Sequence, residues 1–125
     1  MTNCLLIFPN NLFKIKYIPK NLKQIFMIED PLFFGDKERI ENYSKLKLVL
    51  HRASMKYYQD YLTENNFSVK YIEYNKVKNY NFLKKYKKIY HFELADHLLK
   101  KRLQNSLSKT QESITYDSQI GRAHV

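Results

Sequence analysis

Residues 24–31 read QIFMIEDP, a short and largely apolar run that stops abruptly at Glu29-Asp30-Pro31. A continuous apolar run of this length is typical of a strand that is buried on both faces of a parallel sheet. A second such run occupies residues 4–8 and is broken by Pro9. Both runs need a covering layer on each side, which favours an α/β protein with helices above and below the sheet.

The longest helical pattern runs from residue 44 to residue 64. Ser44 is suited to cap its first turn, and Asn65-Asn66 is suited to form the turn at its end. Spacings of three and four residues place a set of apolar side chains on one face, which is the predicted apolar face of this helix. That face consists of Leu46, Leu50, Ala53, Tyr57 and Tyr61, widened by Leu48, Met55, Tyr58 and Leu62, while Lys45, Arg52, Lys56 and Gln59 can face water.

The rest of the chain alternates between strand and helix patterns. β-Branched and aromatic residues predict strands at 68–74, 88–92 and 113–116. A short helix is predicted at 79–86 and a longer one at 95–107. The apolar stripe of the longer helix is formed by Leu98, Leu99, Leu103 and Leu107. This alternation predicts a flavodoxin-like (Rossmann-like) three-layer α/β domain with a parallel sheet of about five strands.

The composition is that of one folded domain. The 125 residues carry a formal net charge of +10, with eleven Tyr and eight Phe. The excess of lysine fits a nucleic-acid partner. It also fits a genome biased toward AT-rich codons, and the sequence leaves both readings open. The apolar runs are too short to cross a bilayer and no secretory leader is recognisable, so we expect a cytoplasmic protein without a membrane partner.

Familiar catalytic and metal-binding motifs are missing from the sequence. The two glycines, Gly35 and Gly121, cannot form a G-x-G-x-x-G fingerprint or a P-loop. Cys4 is the single cysteine, and His91 and His97 are predicted on different elements, so neither a disulfide nor a metal site is expected. We therefore predict no catalytic residue and no metal ligand in this chain.

Polar side chains follow two of the predicted strands. Ligands of open α/β sheets bind beyond the carboxyl ends of the strands. Pro9, Asn10 and Asn11 follow the first strand, and Glu29 and Asp30 follow the second. The amides can donate and accept hydrogen bonds, and a carboxylate can accept one from a ring N–H or a sugar hydroxyl. The same residue types also favour turns, so a turn and a ligand site are both compatible with the sequence.

Residues 119–125, QIGRAHV, differ from the Lys- and Tyr-rich chain before them. They can be encoded by CAGATCGGAAGAGCACACGTC, which from its second base onward is the start of a widely used sequencing adapter. We therefore expect one natural domain over residues 1–118, and we interpret residues 119–125 as read-through into adapter, an extraneous segment that is excluded from the reasoning about the fold.

Five stretches of the chain carry a resemblance to a known family. The longest combines MIEDPLFFG at 27–35 with KLVLHRASMKYY at 47–58, and shorter ones are LLIFPNNLF at 5–13, ADHLLKKRL at 95–103 and ITYDS at 114–118. Together they resemble the deoxyribodipyrimidine photolyase-related family, the bacterial branch of the cryptochrome/photolyase superfamily that includes the iron–sulfur (6-4) photolyases. The first loop departs from the family, whose members typically carry a glutamine where this chain has Asn11.

The resemblance implies an antenna domain. In this family the N-terminal α/β domain holds a lumazine- or folate-type antenna chromophore, for which residues 9–11, Glu29 and Asp30 are the candidate contacts. A helical C-terminal domain, absent from residues 1–118, would carry FAD, an iron–sulfur cluster and the pocket for damaged DNA, where photoreduced flavin splits the lesion. The parent would be a DNA photolyase or a blue-light-sensing cryptochrome, and this fragment alone would be inactive. The alternative is a stand-alone flavodoxin-like domain that binds a small molecule or a partner without catalysis.

Longer DNA reads across the Ser118 codon test the fragment interpretation. We expect a proline codon next, because the family continues with Ser-Pro here and a proline codon begins with the same base as the glutamine codon. A helical, cysteine-bearing region should follow. A genuine tail of residues 119–125 ending in a stop codon would contradict the adapter interpretation and favour the stand-alone domain.

Overall fold

A computed structural model describes residues 3–9, 11–13, 16, 18, 22, 24–30, 45–77, 80–94, 97–117 and 122–124. These residues form a layered α/β arrangement of strands and helices. In chain order the elements are β1 (Asn3–Ile7), β2 (Gln24–Ile28), α1 (Lys45–Glu64), β3 (Ser68–Ile72), β4 (Lys88–Phe92), α2 (His97–Ser106), β5 (Glu112–Asp117) and β6 (Arg122–His124).

The strands form one sheet in the order β3-β2-β1-β4-β5-β6. All pairs from β3 to β5 are parallel, and β6 pairs antiparallel with β5. The order 3-2-1-4-5 is that of the doubly wound nucleotide-binding sheets, in which the chain leaves the first strand in one direction and later returns to its other side. The predicted three-layer α/β fold with about five parallel strands is therefore confirmed.

Each face of the sheet has its own hydrophobic core. Every side chain of β2 and all of β1 after its first residue are buried, as the continuous apolar runs predicted. The α1 side contains Leu5, Ile7, Ile25, Met27, Met55, Tyr58 and Leu62, together with Ile18, Leu22 and Phe92. The α2 side contains Cys4, Leu6, Phe26, Ile28, Ile89, Leu99 and Leu103, together with Tyr80, Leu83 and Tyr86.

The C-terminal turn of α1 lies where the sequence placed it. Asn66 has a φ of 69°, in the left-handed region that asparagine tolerates better than most residues. The Phe67 N–H donates to the Leu62 carbonyl at 3.1 Å and closes the end of the helix. The predicted N-cap, Ser44, lies outside the described residues.

The predicted apolar face of α1 is correct only for the residues that widen it, Met55, Tyr58 and Leu62, which are buried. Leu46, Leu50 and Tyr57 are exposed, at 68%, 57% and 79% of their surface, whereas Met55 and Leu62 are completely buried. Arg52, predicted to face water, forms an ion pair with a buried carboxylate. The helix carries apolar residues on two opposite sides, and periodicity alone does not say which side meets the sheet.

Smaller differences concern the ends of elements. The strand predicted at 68–74 ends at Ile72, and the short helix predicted at 79–86 is reduced to a 3₁₀ turn over Asn81–Leu83. In α2 the predicted stripe is confirmed, with Leu99 and Leu103 buried against the sheet. Part of the expected adapter segment, Arg122–His124, lies beside β5, and its origin stays a prediction. Of the helices that the structure describes, neither is long and apolar enough to cross a membrane.

A pair of leucine-to-alanine variants tests which side of α1 meets the sheet. Leu62→Ala should lower the free energy of unfolding by about 2–5 kcal/mol, because it leaves a cavity in a closed core. Leu50→Ala removes the same atoms from a side chain that is 57% exposed, and should change it by less than about 0.5 kcal/mol. Urea unfolding of both variants gives the comparison. Equal losses, or a larger loss for Leu50→Ala, would contradict the observed orientation.

Candidate functional site at the carboxyl edge of the sheet

The strand order creates a crevice between β1 and β4. In the sheet, β2 is the neighbour of β1 on one side and β4 is its neighbour on the other. The connection that follows β1 leads towards β2, and the connection that follows β4 leads towards β5, so the two connections diverge. The described part of the loop after β1 lies on the α1 side, where the Phe13 ring packs edge-on against Phe92 with centroids 4.8 Å apart. The Tyr58 hydroxyl of α1 donates a hydrogen bond to the Phe13 carbonyl. Ligands of doubly wound sheets bind at this kind of crevice.

Asn11 lies in the loop that follows β1 and is 2% exposed. Its backbone N–H donates to the Phe8 carbonyl at 2.9 Å, and its carbonyl accepts from the Phe13 N–H at 3.0 Å, so the loop backbone is held in place. The side-chain Oδ1 is buried, and no described residue donates a hydrogen bond to it. Leaving such a group unpaired costs about 1–3 kcal/mol, which makes it a strong acceptor for an incoming N–H or O–H.

Glu29 follows β2 and is completely buried. Arg52 of α1 donates two hydrogen bonds to it, from Nε at 2.9 Å and from a terminal nitrogen at 2.6 Å. The Tyr71 hydroxyl and the Tyr74 backbone N–H, at 3.1 Å, also donate to this carboxylate. Burial raises the pKa of Glu29, but these hydrogen bonds and the charge of Arg52 outweigh it and hold the pKa below its ordinary value of 4.5.

Asp30 is also completely buried, on the α2 side of the sheet. It accepts hydrogen bonds from the Tyr80 hydroxyl and from a terminal nitrogen of Arg102, the latter at 3.1 Å. Burial, followed by the nearby Asp30 charge, raises the pKa of Tyr80, so the phenol remains a proton donor. Consecutive residues of one strand end thus anchor the two helical layers.

The structure brings four of the five predicted site residues to one edge of the sheet. Ile7 of β1 lies opposite Met27 of β2. Pro9 and Glu29 each follow this pair by two residues, so they lie at the same level of the sheet. Asn10 lies outside the described residues. The oxygens of Glu29 and Asp30 have partners within the chain, whereas the buried oxygen of Asn11 has none among the described residues.

Sequence reasoning missed the groups that bind the carboxylates. Arg52 and Arg102 are separated from their partners by 23 and 72 residues, and no local pattern connects them. Both arginines nevertheless lie in the stretches that carry the family resemblance, 47–58 and 95–103. The occurrence of an arginine in each of these stretches, together with two adjacent acidic residues after a buried strand, was the signal in the sequence that could have suggested the two ion pairs.

The two central histidines lie on different elements, as expected. His91 is buried in β4, where its Nδ1 lies 2.9 Å from the Phe92 carbonyl and its Nε2 2.7 Å from the Ser113 hydroxyl. Burial lowers its pKa, so the ring is neutral at pH 7. His97 is exposed at the start of α2. No group of three metal-ligating side chains lies together within the described ranges.

Replacing Glu29 tests the importance of the ion pair that it forms. Glu29→Gln should lower the free energy of unfolding at pH 7 by about 1–3 kcal/mol, since hydrogen bonds to a charged group are lost. The folded pKa is below 4.5, so the contribution of Glu29 is present above that pH and is lost as the pH falls through the folded pKa. The difference from the native chain should therefore shrink in acid.

Urea unfolding at pH 7 and at about pH 3.5 provides the measurement. Glu93→Gln is the matched control, because Glu93 is exposed beyond β4. An equal loss in both variants, or a difference that does not change with pH, would contradict a specific role for the Glu29–Arg52 pair.

Comparison with known proteins identifies the family. Residues 5–120 match the family described as "Deoxyribodipyrimidine photo-lyase-related protein". The chain is also similar to "Uncharacterized protein R852" of Acanthamoeba polyphaga mimivirus, with 44% identity over 77 residues, which are 59% of this chain and 39% of that protein. The match to the family includes Asn11, both acidic residues and both arginines. The chain therefore belongs to the deoxyribodipyrimidine photolyase-related protein family.

Proposed function

We propose that this chain is the antenna domain of a light-dependent flavoprotein. It would bind a lumazine- or folate-type chromophore at the carboxyl edge of the sheet. The parent protein would reverse pyrimidine photoproducts in damaged DNA or sense blue light. Membership of the photolyase-related family supports the general direction of this proposal. The bacterial iron–sulfur (6-4) branch, the enzymatic activity and a cytoplasmic location are parts of the same proposal.

The observation that carries the proposal is the buried amide oxygen of Asn11 in the loop that follows β1, which no described residue binds. A lumazine or a folate offers ring N–H or hydroxyl donors that can satisfy such an acceptor. The half-buried Phe13 of the same loop packs on the buried Phe92, and we propose that these rings supply the apolar wall of the site. The site therefore combines an apolar surface with one placed polar group, which is common in small-molecule sites. When bound, an antenna chromophore absorbs light and passes the excitation to a flavin.

We propose that Glu29 and Asp30 do not contact the ligand directly and that they position the segments of the chain that surround it. Their oxygens already accept hydrogen bonds from Arg52, Tyr71, Arg102 and other groups of the chain. A ligand that contacted them directly would have to replace or share these bonds, at a cost for each group left unpaired. Pro9 lies level with them at the end of β1 and would shape the entrance from the other side.

The flavin and the cluster belong elsewhere in the proposed parent. Cys4 is the single cysteine of the chain, it is completely buried, and burial raises its pKa to about 12. A buried thiol of this kind is a poor ligand, since metals bind the thiolate. An iron–sulfur cluster needs several cysteines, so we assign the cluster, the FAD and the DNA-lesion pocket to a part of the parent protein beyond this chain.

Titration with chromophores tests the proposal. The purified chain should change the absorbance and fluorescence of a ribityl-lumazine or of a reduced methenyl-folate. Asn11→Leu should weaken binding by about tenfold or more, because it removes the acceptor. Asn11→Gln keeps the amide and restores the residue typical of the family, so it should retain binding. Asn105→Leu changes an exposed amide of α2 and serves as the matched control.

Melting curves of the same variants separate loss of binding from loss of folding. Absence of binding by both chromophores, or equal binding by Asn11→Leu, would contradict the antenna proposal. Binding of a different small molecule at Asn11 would favour the alternative, a stand-alone flavodoxin-like binding domain.

A further inference from the structure

A polar cavity of about 290 Å³ lies between α2 and the neighbouring strands β4 and β5. The loop after β1 lies on the opposite face of the sheet, so this cavity is separate from the proposed antenna site. Its size is at the small end of the clefts that bind organic molecules. The polar side chains that line it are His91 of β4, Ser113 and Thr115 of β5, and Lys100 and Gln104 of α2.

The hydrogen bonds of His91 fix the form of its ring. Nδ1 lies 2.9 Å from the Phe92 carbonyl, which can only accept, so Nδ1 carries a hydrogen and donates it. Burial, and to a smaller extent the charge of Lys100, lowers the pKa of His91, although the hydrogen bond to Phe92 opposes this. The ring is therefore neutral at pH 7, and its Nε2 carries a lone pair.

Ser113 lies at that lone pair. Its Oγ is 2.7 Å from Nε2 of His91, and the serine hydroxyl has to donate in this contact, because Nε2 bears no hydrogen. A serine bonded to a histidine that a third group orients is the arrangement that activates a serine as a nucleophile. Here the third group is the backbone carbonyl of Phe92. Ser113 is only half-buried, so a molecule in the cavity can reach its Oγ.

The wall formed by α2 supplies a positive charge and an amide. Lys100 and Gln104 are exposed at the mouth of the cavity, which therefore opens to solvent. The charge of Lys100 acts on His91, so the ammonium group lies close to the pair of His91 and Ser113. A cation and amide N–H groups beside a serine nucleophile can stabilise the oxygen that becomes negative when a carbonyl carbon is attacked.

We propose that Ser113 is a nucleophile that hydrolyses short-chain carboxylic esters in this cavity, with His91 as its general base. Oγ of Ser113 forms a bond to the ester carbonyl carbon while the hydroxyl proton moves to Nε2 of His91. The bond between this carbon and the alcohol oxygen then breaks, and the alcohol leaves with that proton. Water adds to the acyl group, and its proton passes through His91 back to Ser113 as the carboxylic acid is released.

Labelling with an alkyl fluorophosphonate is the first test. The full chain should take up one phosphonyl group with loss of fluoride, and peptide mapping by mass spectrometry should locate it on Ser113. His91→Asn keeps an amide N–H for the Phe92 carbonyl but cannot take up a proton, so it should slow labelling roughly a hundredfold or more. Ser108→Ala removes an exposed serine of the turn before β5 and serves as the matched control, with an unchanged rate.

Release of p-nitrophenol from p-nitrophenyl acetate tests the complete reaction. Turnover should be lost in Ser113→Ala, and Lys100→Met should lower it roughly tenfold, because the cation beside the oxyanion is removed. Ser113→Ala deletes a single half-buried oxygen, so it decides the matter even where His91→Asn does not fold, which circular dichroism would show.

Three results would overturn the proposal. They are a label on exposed serines and not on Ser113, equal labelling of a folded His91→Asn variant, and equal turnover by the native chain and Ser113→Ala.

Discussion

The positions of both helices on the sheet depend on two neighbouring carboxylates, Glu29 and Asp30. They follow the inner strand β2 and bind helices on opposite faces of the sheet. Glu29 holds Arg52 of α1, and Asp30 holds Arg102 of α2. Buried charges are tolerated only when they are paired and hydrogen-bonded, so the two buried carboxylates need these partners, while the arginine side chains stay partly exposed. Apolar contacts bring both helices onto the sheet but are not directional. The ion pairs are directional, because each of them fixes the position of one residue of a helix relative to the end of β2.

Local patterns were sufficient for the strands and insufficient for the face of α1. β2 and β4 have the predicted bounds, since a short apolar or β-branched run has few alternatives once both of its sides are covered. α1 has apolar residues both around Met55 and around Leu50, and propensity cannot choose between them. In the observed orientation Met55 meets the sheet and Arg52 binds Glu29, which lies 23 residues earlier in the chain. This pairing is a tertiary contact, and a short segment of the sequence does not reveal it.

The candidate site shows the same division. Topology alone placed Pro9, Asn11, Glu29 and Asp30 at one edge, because all parallel strands end on the same side. Which polar group remains available depends on distant partners, and on this point the carboxylates and the amide looked alike in sequence. Arg52 and Arg102 occupy the carboxylates, while the buried oxygen of Asn11 has no described donor. The turn and the ligand site therefore stay compatible in the structure, and the ligand site stays a prediction.

Neighbouring residues of α1 lie on opposite sides of the helix, and the ion pair between Glu29 and Arg52 fixes the orientation of both. Tyr58 faces the sheet and donates its hydroxyl to the Phe13 carbonyl, which holds the loop that contains Asn11. Tyr57, the preceding residue, is 79% exposed on the opposite side. A rotation of α1 that buried Tyr57 would withdraw Tyr58 from this loop and separate Arg52 from Glu29. The hydrogen bond that orders this loop and the ion pair to Glu29 therefore both fix which side of α1 faces outward.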